Sequence, residues 1–455
     1  MKQLFIFLFG VLLSSQGFAL SVKFNISNTK NDTLVIGNYF GSQKNMMVLD
    51  TVILKNGVGE FKNDTLKSGL YFIFNNKNKY DLLLSSSDKN LKISYKSPDF
   101  LSTIKIDGSA ITSSFIDYMK FLNDKKELVK NDSTLVQATS KEVNTYISKV
   151  VAENKTNILG KFLNFHTPVQ VPEGTQELRF HYFKQHFFDN ANIYDSELLH
   201  TPLVEEKLNE YYTYLVGTPT EICQDIDSLF FKSQSNKEVF RFLLVNSFQH
   251  YLKSNQVIAE NIWVHIAQKW YIPFATWSDF AYMERLKHEV KMRLPNLIGE
   301  KAPNFETTVL SKNDFLAAQA DTLKRKDVYQ GSETKLSSII GNDYTLLIFF
   351  EGDCSHCKEV MPHFYEVYNK YAPKGLKGVI VHNNNTPEGK IIWCDYINQN
   401  KMYNWINCWS PYSNQYKDLY NIVSTPTVYL LNKGVIELKN IDSKTLDEYL
   451  SKKLK

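Results

Sequence analysis

The sequence predicts a multidomain α+β protein: an N-terminal β-sandwich-like domain, a central all-α domain and a C-terminal α/β domain with a mixed sheet. Three observations carry this. At 455 residues the chain is too long for one ordinary core. At Asp107-Gly108-Ser109 the hydrophobic pattern changes from strand-like runs to a helical spacing. Beyond Pro295 strand and helix patterns alternate. The expected divisions are 1–19, 20–108, 109–295 and 296–455.

The first division reads as a cleaved secretory signal. Lys2 precedes an apolar run from Leu4 to Leu13, and Gly17-Phe18-Ala19 supplies the small-x-small ending, which places the mature start near Leu20. The run is shorter than the roughly 20 apolar residues that span a bilayer. No Cys follows Ala19 to carry a lipid, and no later stretch is long and apolar enough to cross a membrane. An exported, periplasmic protein is expected.

Residues 20–108 hold short runs rich in β-branched and aromatic residues: Thr33 to Ile36, Val48 to Leu54 and Leu70 to Phe74. Asn56-Gly57, between Val52-Ile53-Leu54 and Phe61, signals a hairpin because both positions tolerate positive φ. In 109–295, Phe115, Tyr118, Met119 and Leu122 recur at helical spacing, as do Phe240, Leu243, Leu244, Phe248, Tyr251 and Leu252. Six to eight helices joined by short loops are expected, their aromatic stripes being core. Cys223 follows the helix start Thr218-Pro219-Thr220-Glu221 and reads as an ordinary buried thiol. Pro295 marks a helix stop.

In the last division Tyr344 to Phe350 (YTLLIFF) is a continuous apolar run, the pattern of a central strand covered on both faces. A helix from Cys354, a strand Gly378 to Val381, a helix Ile391 to Asn398, a hairpin through Asn432-Lys433-Gly434 and a final helix Thr445 to Leu454 follow. This βαβ unit followed by ββα is a mixed sheet with helices on both faces.

The formal charge of +4 and interspersed lysines and acids give no nucleic-acid signature. With 43% hydrophobic and 22% charged residues the chain has the composition of a folded protein. Five cysteines are far too few for a disulfide-stapled scaffold, so each needs its own account.

Two of them carry chemistry. Glu351-Gly352-Asp353-Cys354-Ser355-His356-Cys357 stands where the buried strand ends and a helix begins. Unpaired backbone N–H groups and the helix dipole favour an anion there, so the Cys354 thiol should ionise readily. Cys357, one turn in, can close a disulfide or resolve a mixed one. His356, as imidazolium, would stabilise the thiolate further; Asp353 and Glu351 push the other way. The alternatives are a zinc site with His356 and His363, which lacks a second ligand pair, and a structural disulfide, whose loop is too short to stabilise much. No cofactor is expected.

The C-terminal 160 residues resemble the TlpA/ResA-like branch of the thioredoxin superfamily. Gly299-Glu300-Lys301-Ala302-Pro303-Asn304-Phe305 matches its opening G-x-x-A-P-x-F, Cys354-Ser355-His356-Cys357-Lys358 its CxxC-K, and Pro362 its helix-kinking proline. Ser424-Thr425-Pro426-Thr427 looks like its cis-proline loop, and Trp393, Trp405 and Tyr420 fit its W…W…Y spacing. The resemblance implies that Pro426 lies against the active sulfurs and that the backbone of Thr425 binds a substrate polypeptide. Departures are Ile348 where many thioredoxins bury an Asp, and Val360, one step from Glu359, where relatives in cytochrome maturation place a Glu. Residues 310–338, with Lys324-Arg325-Lys326-Asp327, look like an insertion forming a surface loop. Cys394 and Cys408 read as packed thiols, with a second disulfide or a relay partner for the active pair as the alternative.

The resemblance implies a thiol–disulfide oxidoreductase, a reductase or isomerase acting on exported proteins with disulfides and recharged by a membrane-bound electron donor. A binding protein with a regulatory redox domain is the alternative. A peroxidase is less favoured, because Glu351 stands where peroxiredoxins need a Thr. The leading domains, which also resemble those of exported multidomain redox proteins, carry no catalytic motif. They are expected to orient a substrate or promote dimerisation.

Overall fold

In the computed structural model, residues 20–454 are described save 31, 76, 321–330, 342 and 411–413. The expected signal, 1–19, lies outside them. The chain divides into two compact units, residues 1–218 with 224–246 and residues 219–223 with 247–455, so the helical stretch is shared between them. Among the described residues no helix is long and apolar enough to cross a membrane.

The first unit opens on eight strands: β1 (Leu20–Ser27), β2 (Thr33–Tyr39), β3 (Met46–Ile53), β4 (Val58–Asn63), β5 (Gly69–Asn75), β6 (Asn78–Leu84), β7 (Asn90–Lys96) and β8 (Lys105–Asp107). They form two four-stranded sheets, β4-β1-β7-β8 and β3-β2-β5-β6. In β1, Leu20, Val22, Phe24 and Ile26 are buried while Lys23 and Asn25 are exposed, the alternation of a strand with one dry face. Tyr80 of β6 and Tyr95 of β7 meet edge to face at 5.7 Å, and Asn75 of β5 donates to the Tyr95 hydroxyl, so the two sheets share a core. Asn56 and Gly57 both take positive φ, 52° and 77°, as the sequence requires. The turn does not close a simple hairpin, however. Only Lys55 and Val58 bridge across it; β3 goes on to pair with β2 and β4 with β1, so the turn carries the chain from one sheet to the other.

The helices between residues 110 and 293 are more uneven than the expected set. They range from Ala110–Asn131, capped by the Ser109 hydroxyl accepting from the Thr112 N–H, to the single turns Ser196–Leu199 and Ile272–Phe274. Cys223 is buried within Pro219–Ser233. Phe280–Arg293 ends in a short 3₁₀ turn at Leu294–Asn296, where Pro295 stops it.

The second unit is built on a seven-stranded mixed sheet. Its strands are β9 (Glu306–Leu310), β10 (Ser332–Lys335), β11 (Tyr344–Phe350), β12 (Lys377–His382), β13 (Ile406–Trp409), β14 (Thr427–Asn432) and β15 (Val435–Lys439), in the order β10-β9-β13-β12-β11-β14-β15. β11, β12 and β13 are parallel, and the remaining neighbours are antiparallel. The apolar run of β11 has a direct cause. Leu346, Ile348 and Phe350 face a core with Met361 and Phe364 of the helix Ser355–Tyr371, Trp393 and Ile397 of Pro387–Asn400, and Leu446 of Ser443–Lys453. Leu347 and Phe349 face the opposite core with Phe305, Leu336, Tyr416 and Tyr420.

Residues 310–338 are not simply a surface loop. The helix Lys312–Ala320 buries Phe315 completely against Trp393, and β10 pairs with β9. Phe315 is the one buried side chain of that helix, too sparse a signal for periodicity to reveal. Lys324 to Asp327 lie outside the described residues.

Candidate active site

Cys354 is the N-cap of the helix Ser355–Tyr371, with extended backbone angles (φ −67°, ψ 122°). An oxygen from Ser or Asp usually fills this position. Here the sulfur does so, accepting from the Cys357 backbone N–H at 3.4 Å. No acidic side chain stands in the first turn, so nothing there competes with a negative charge on the sulfur. On the opposite side the Thr425 carbonyl lies 3.6 Å from the Cys354 Sγ, and the Thr425–Pro426 peptide is cis. The structure thus brings Cys354, Cys357, Thr425 and Pro426 together.

The two thiols are inequivalent. Burial works against ionising Cys354, but the Cys357 N–H, the Thr425 side chain and the His356 backbone N–H outweigh it and lower its pKa below the ordinary thiol value. Cys357 is wholly buried, and burial pushes its pKa up to about 11. A partly exposed thiolate beside a buried thiol is the pairing that thiol exchange requires.

The His356 ring faces solvent, its side chain 65% exposed and its Nδ1 3.8 Å from Glu359. What His356 gives the sulfur is its backbone N–H. The Glu351 carboxylate accepts from the Asn383 amide at 3.1 Å, while Asp353 is exposed. Ile348 is buried beneath the site, as its replacement of an acid demands.

The other landmarks assemble around this centre. The Tyr420 hydroxyl donates to the Pro303 carbonyl at 2.6 Å, and Phe305 stacks on Tyr416 at 5.0 Å, which ties the opening segment to the sheet. Trp393 is fully buried, and Trp405 packs on Tyr368 at 4.4 Å. Pro362 lies within the active-site helix. Cys394 and Cys408 are both buried and unpaired, one in each of the two cores, and burial raises each to about 12. The sheet stands between them, so they form no disulfide with each other.

Sequence reasoning missed His382. It is the last residue of β12, fully buried, and its Nε2 accepts from the Gly352 N–H at 3.2 Å. A histidine ending an otherwise apolar strand was the available signal; only the pairing of β12 with β11 brings it under the active-site loop. Gly352 itself is set by close approach: a Cβ there would meet Ile392 and Tyr396 at 3.1 Å.

Fold and site define the C-terminal domain as thioredoxin-like. A family described as Thioredoxin-like matches residues 341–436, and a domain of unknown function (DUF5106) matches residues 136–296. The chain is similar to a thioredoxin-like protein from Bacteroides caccae at 20% identity over 62% of this chain and 97% of that one, with a TM-score of 0.41. It is also similar to the thioredoxin domain of a thiol-disulfide oxidoreductase from Bacteroides vulgatus (21% identity, 35% of this chain, 98% of that one, TM-score 0.27). A thiol:disulfide interchange protein from Bacteroides sp. is likewise similar (21% identity, 35% and 91%, TM-score 0.27). No curated protein matches the chain.

Proposed function

We propose that the chain is an exported thiol–disulfide oxidoreductase, a reductase or isomerase of protein disulfides that works through Cys354 and Cys357. The observation that carries this is the inequivalence of the pair: Cys354 is partly exposed at a helix start with its pKa lowered, and Cys357 is buried with its pKa raised.

In the reductive direction the Cys354 thiolate attacks one sulfur of a substrate disulfide. The S–S bond breaks, a mixed disulfide forms on Cys354, and the departing substrate sulfur takes up a proton. Cys357 then attacks the Cys354 sulfur. Its proton passes to the second substrate sulfur, which leaves as a thiol, and the Cys354–Cys357 disulfide remains. Two electrons have moved to the substrate, and a membrane-bound dithiol donor restores the pair. The Thr425 backbone beside Cys354 offers a docking edge for an extended substrate polypeptide. The segments ahead of residue 296 orient that substrate; their removal should slow turnover on a folded protein disulfide more than on glutathione disulfide.

Equilibration of the protein against thiol buffers tests the reading. A potential near about −250 mV or below makes it a reductant, and one around −120 to −180 mV an oxidant or isomerase. A pair that does not titrate removes the oxidoreductase.

A further inference from the structure

The dithiol stands at a helix start that a short loop delivers, and that loop needs something to hold it. Residues 350–352 connect the central strand to Cys354, and two consecutive residues at the end of β12, His382 and Asn383, grip all three of them. The Asn383 N–H donates to the Phe350 carbonyl at 2.8 Å. The Asn383 amide donates to the Glu351 carboxylate at 3.1 Å, and His382 Nε2 accepts from the Gly352 N–H at 3.2 Å.

The chemistry of the partners fixes the state of the ring. A backbone N–H can only donate, so Nε2 facing Gly352 must be bare. A backbone carbonyl can only accept, so Nδ1, 3.1 Å from the Asn384 carbonyl, must carry the proton. The same carbonyl accepts from Trp409 Nε1 at 3.0 Å, which anchors it to β13. The ring meets Phe350 edge to face at 5.5 Å and stacks on Trp393 at 6.1 Å. Both nitrogens are therefore used and the plane is clamped. Burial also disfavours the imidazolium.

We propose that His382 is a positioning residue of the dithiol site: its neutral Nδ1–H imidazole ties Gly352, two residues before Cys354, to the β12 end of the sheet and so holds the Cys354 sulfur against the amide donors of the helix start. No atom of His382 is required to touch substrate. Without the tie, Gly352 loses its buried acceptor, the loop shifts, and the donors that stabilise the Cys354 thiolate fall out of line.

The inference rests on Cys354 being the attacking thiol, as in the function proposed above, and its test reads that thiol directly. In the full chain with Cys357→Ser, the pH profile of Cys354 alkylation by iodoacetamide is compared for His382, His382→Leu and His382→Gln. Leucine abolishes both hydrogen bonds; glutamine can supply one acceptor and one donor. The expected result is a midpoint moved to higher pH in His382→Leu with at least fivefold slower alkylation at neutral pH, and His382→Gln within twofold of the parent. A folded His382→Leu protein whose profile matches the parent within twofold overturns the proposal. Should that variant not fold, nitrogen chemical shifts of His382 in the unsubstituted protein decide: a bare Nε2 and protonated Nδ1 at neutral pH support the tie, and any other state overturns it. A pair that fails to titrate with glutathione would sink the oxidoreductase while leaving this comparison intact.

Discussion

Lys439 Nζ lies 2.6 Å from the Glu260 carboxylate, with only 5% of the lysine side chain exposed. The pair joins the outermost strand of the thioredoxin-like sheet to the helix Ala259–Ile266, far from it in sequence. Lys439 also donates to Asn296 Oδ1 and the Asn296 carbonyl, and Arg293 Nε reaches Glu260 at 2.9 Å. Within the second unit, residues 259–296 are therefore wired into the sheet rather than appended to it.

The two ends of this contact should respond unequally. Glu260→Leu strands a buried ammonium and is expected to destabilise the protein by about 3 kcal/mol. Lys439→Met leaves Glu260 with Arg293 and should cost about 1–2 kcal/mol, mainly through the Asn296 oxygens left unmet. Urea titration of the reduced protein at neutral pH gives both numbers; equal losses would mean that Arg293 contributes nothing.

Alkylation of the reduced protein should select one sulfur. Thiolate reacts and thiol does not, so the rate at Cys354 rises with pH through a midpoint below the ordinary thiol range. Cys357, at about 11, stays protonated throughout the neutral range. Peptide mass mapping after iodoacetamide at pH 7 is expected to find Cys354 modified and Cys357, Cys394 and Cys408 unmodified.

The Thr425 carbonyl can only accept from the Cys354 S–H, so it is the Thr425 side chain that bears on the thiolate. Its side chain favours the charged form of Cys354, and a hydrogen bond to a charged group is worth about 1.5–3 kcal/mol. Thr425→Val should raise the midpoint of Cys354 alkylation and slow the reaction at pH 7 by about tenfold, without changing the melting temperature by more than a few degrees.

Acid should weaken the fold through His382. The pKa of the imidazole falls from 6.5 to about 4 on folding because burial penalises its charge, with Asp353 opposing and Lys417 reinforcing that shift. Between those values the unfolded chain holds a proton that the native one does not. Stability from this group is thus complete above pH 6.5 and drains away as pH falls toward 4, by roughly 3 kcal/mol in all. His382→Gln should flatten that part of the urea-midpoint-against-pH curve; an unchanged slope would assign the acid sensitivity to other groups.

What the sequence made legible is local. YTLLIFF declared a strand covered on both faces, and the cysteines directly after it sat where a helix start was due. The cap geometry of Cys354 follows from that juxtaposition alone. The landmarks Pro303 and Tyr420 were marked by the family resemblance, and in the structure they share a hydrogen bond. What stayed hidden depends on register. His382 comes under Gly352 only because β12 pairs with β11 so that His382 stands opposite Phe350. Asn56-Gly57 announced a turn, but a turn residue carries no information on which sheet each flanking strand will join. Phe315 is the only buried side chain of its helix, and one residue has no period.

The placement of Cys394 and Cys408 in separate, closed cores has a practical corollary. With Cys357 replaced by Ser, a substrate caught covalently would remain attached through Cys354, and Cys408, in the core on the other face of the sheet, could not resolve the adduct. The single replacement Cys357→Ser thus serves as a trap for identifying clients, with Cys408 left in place.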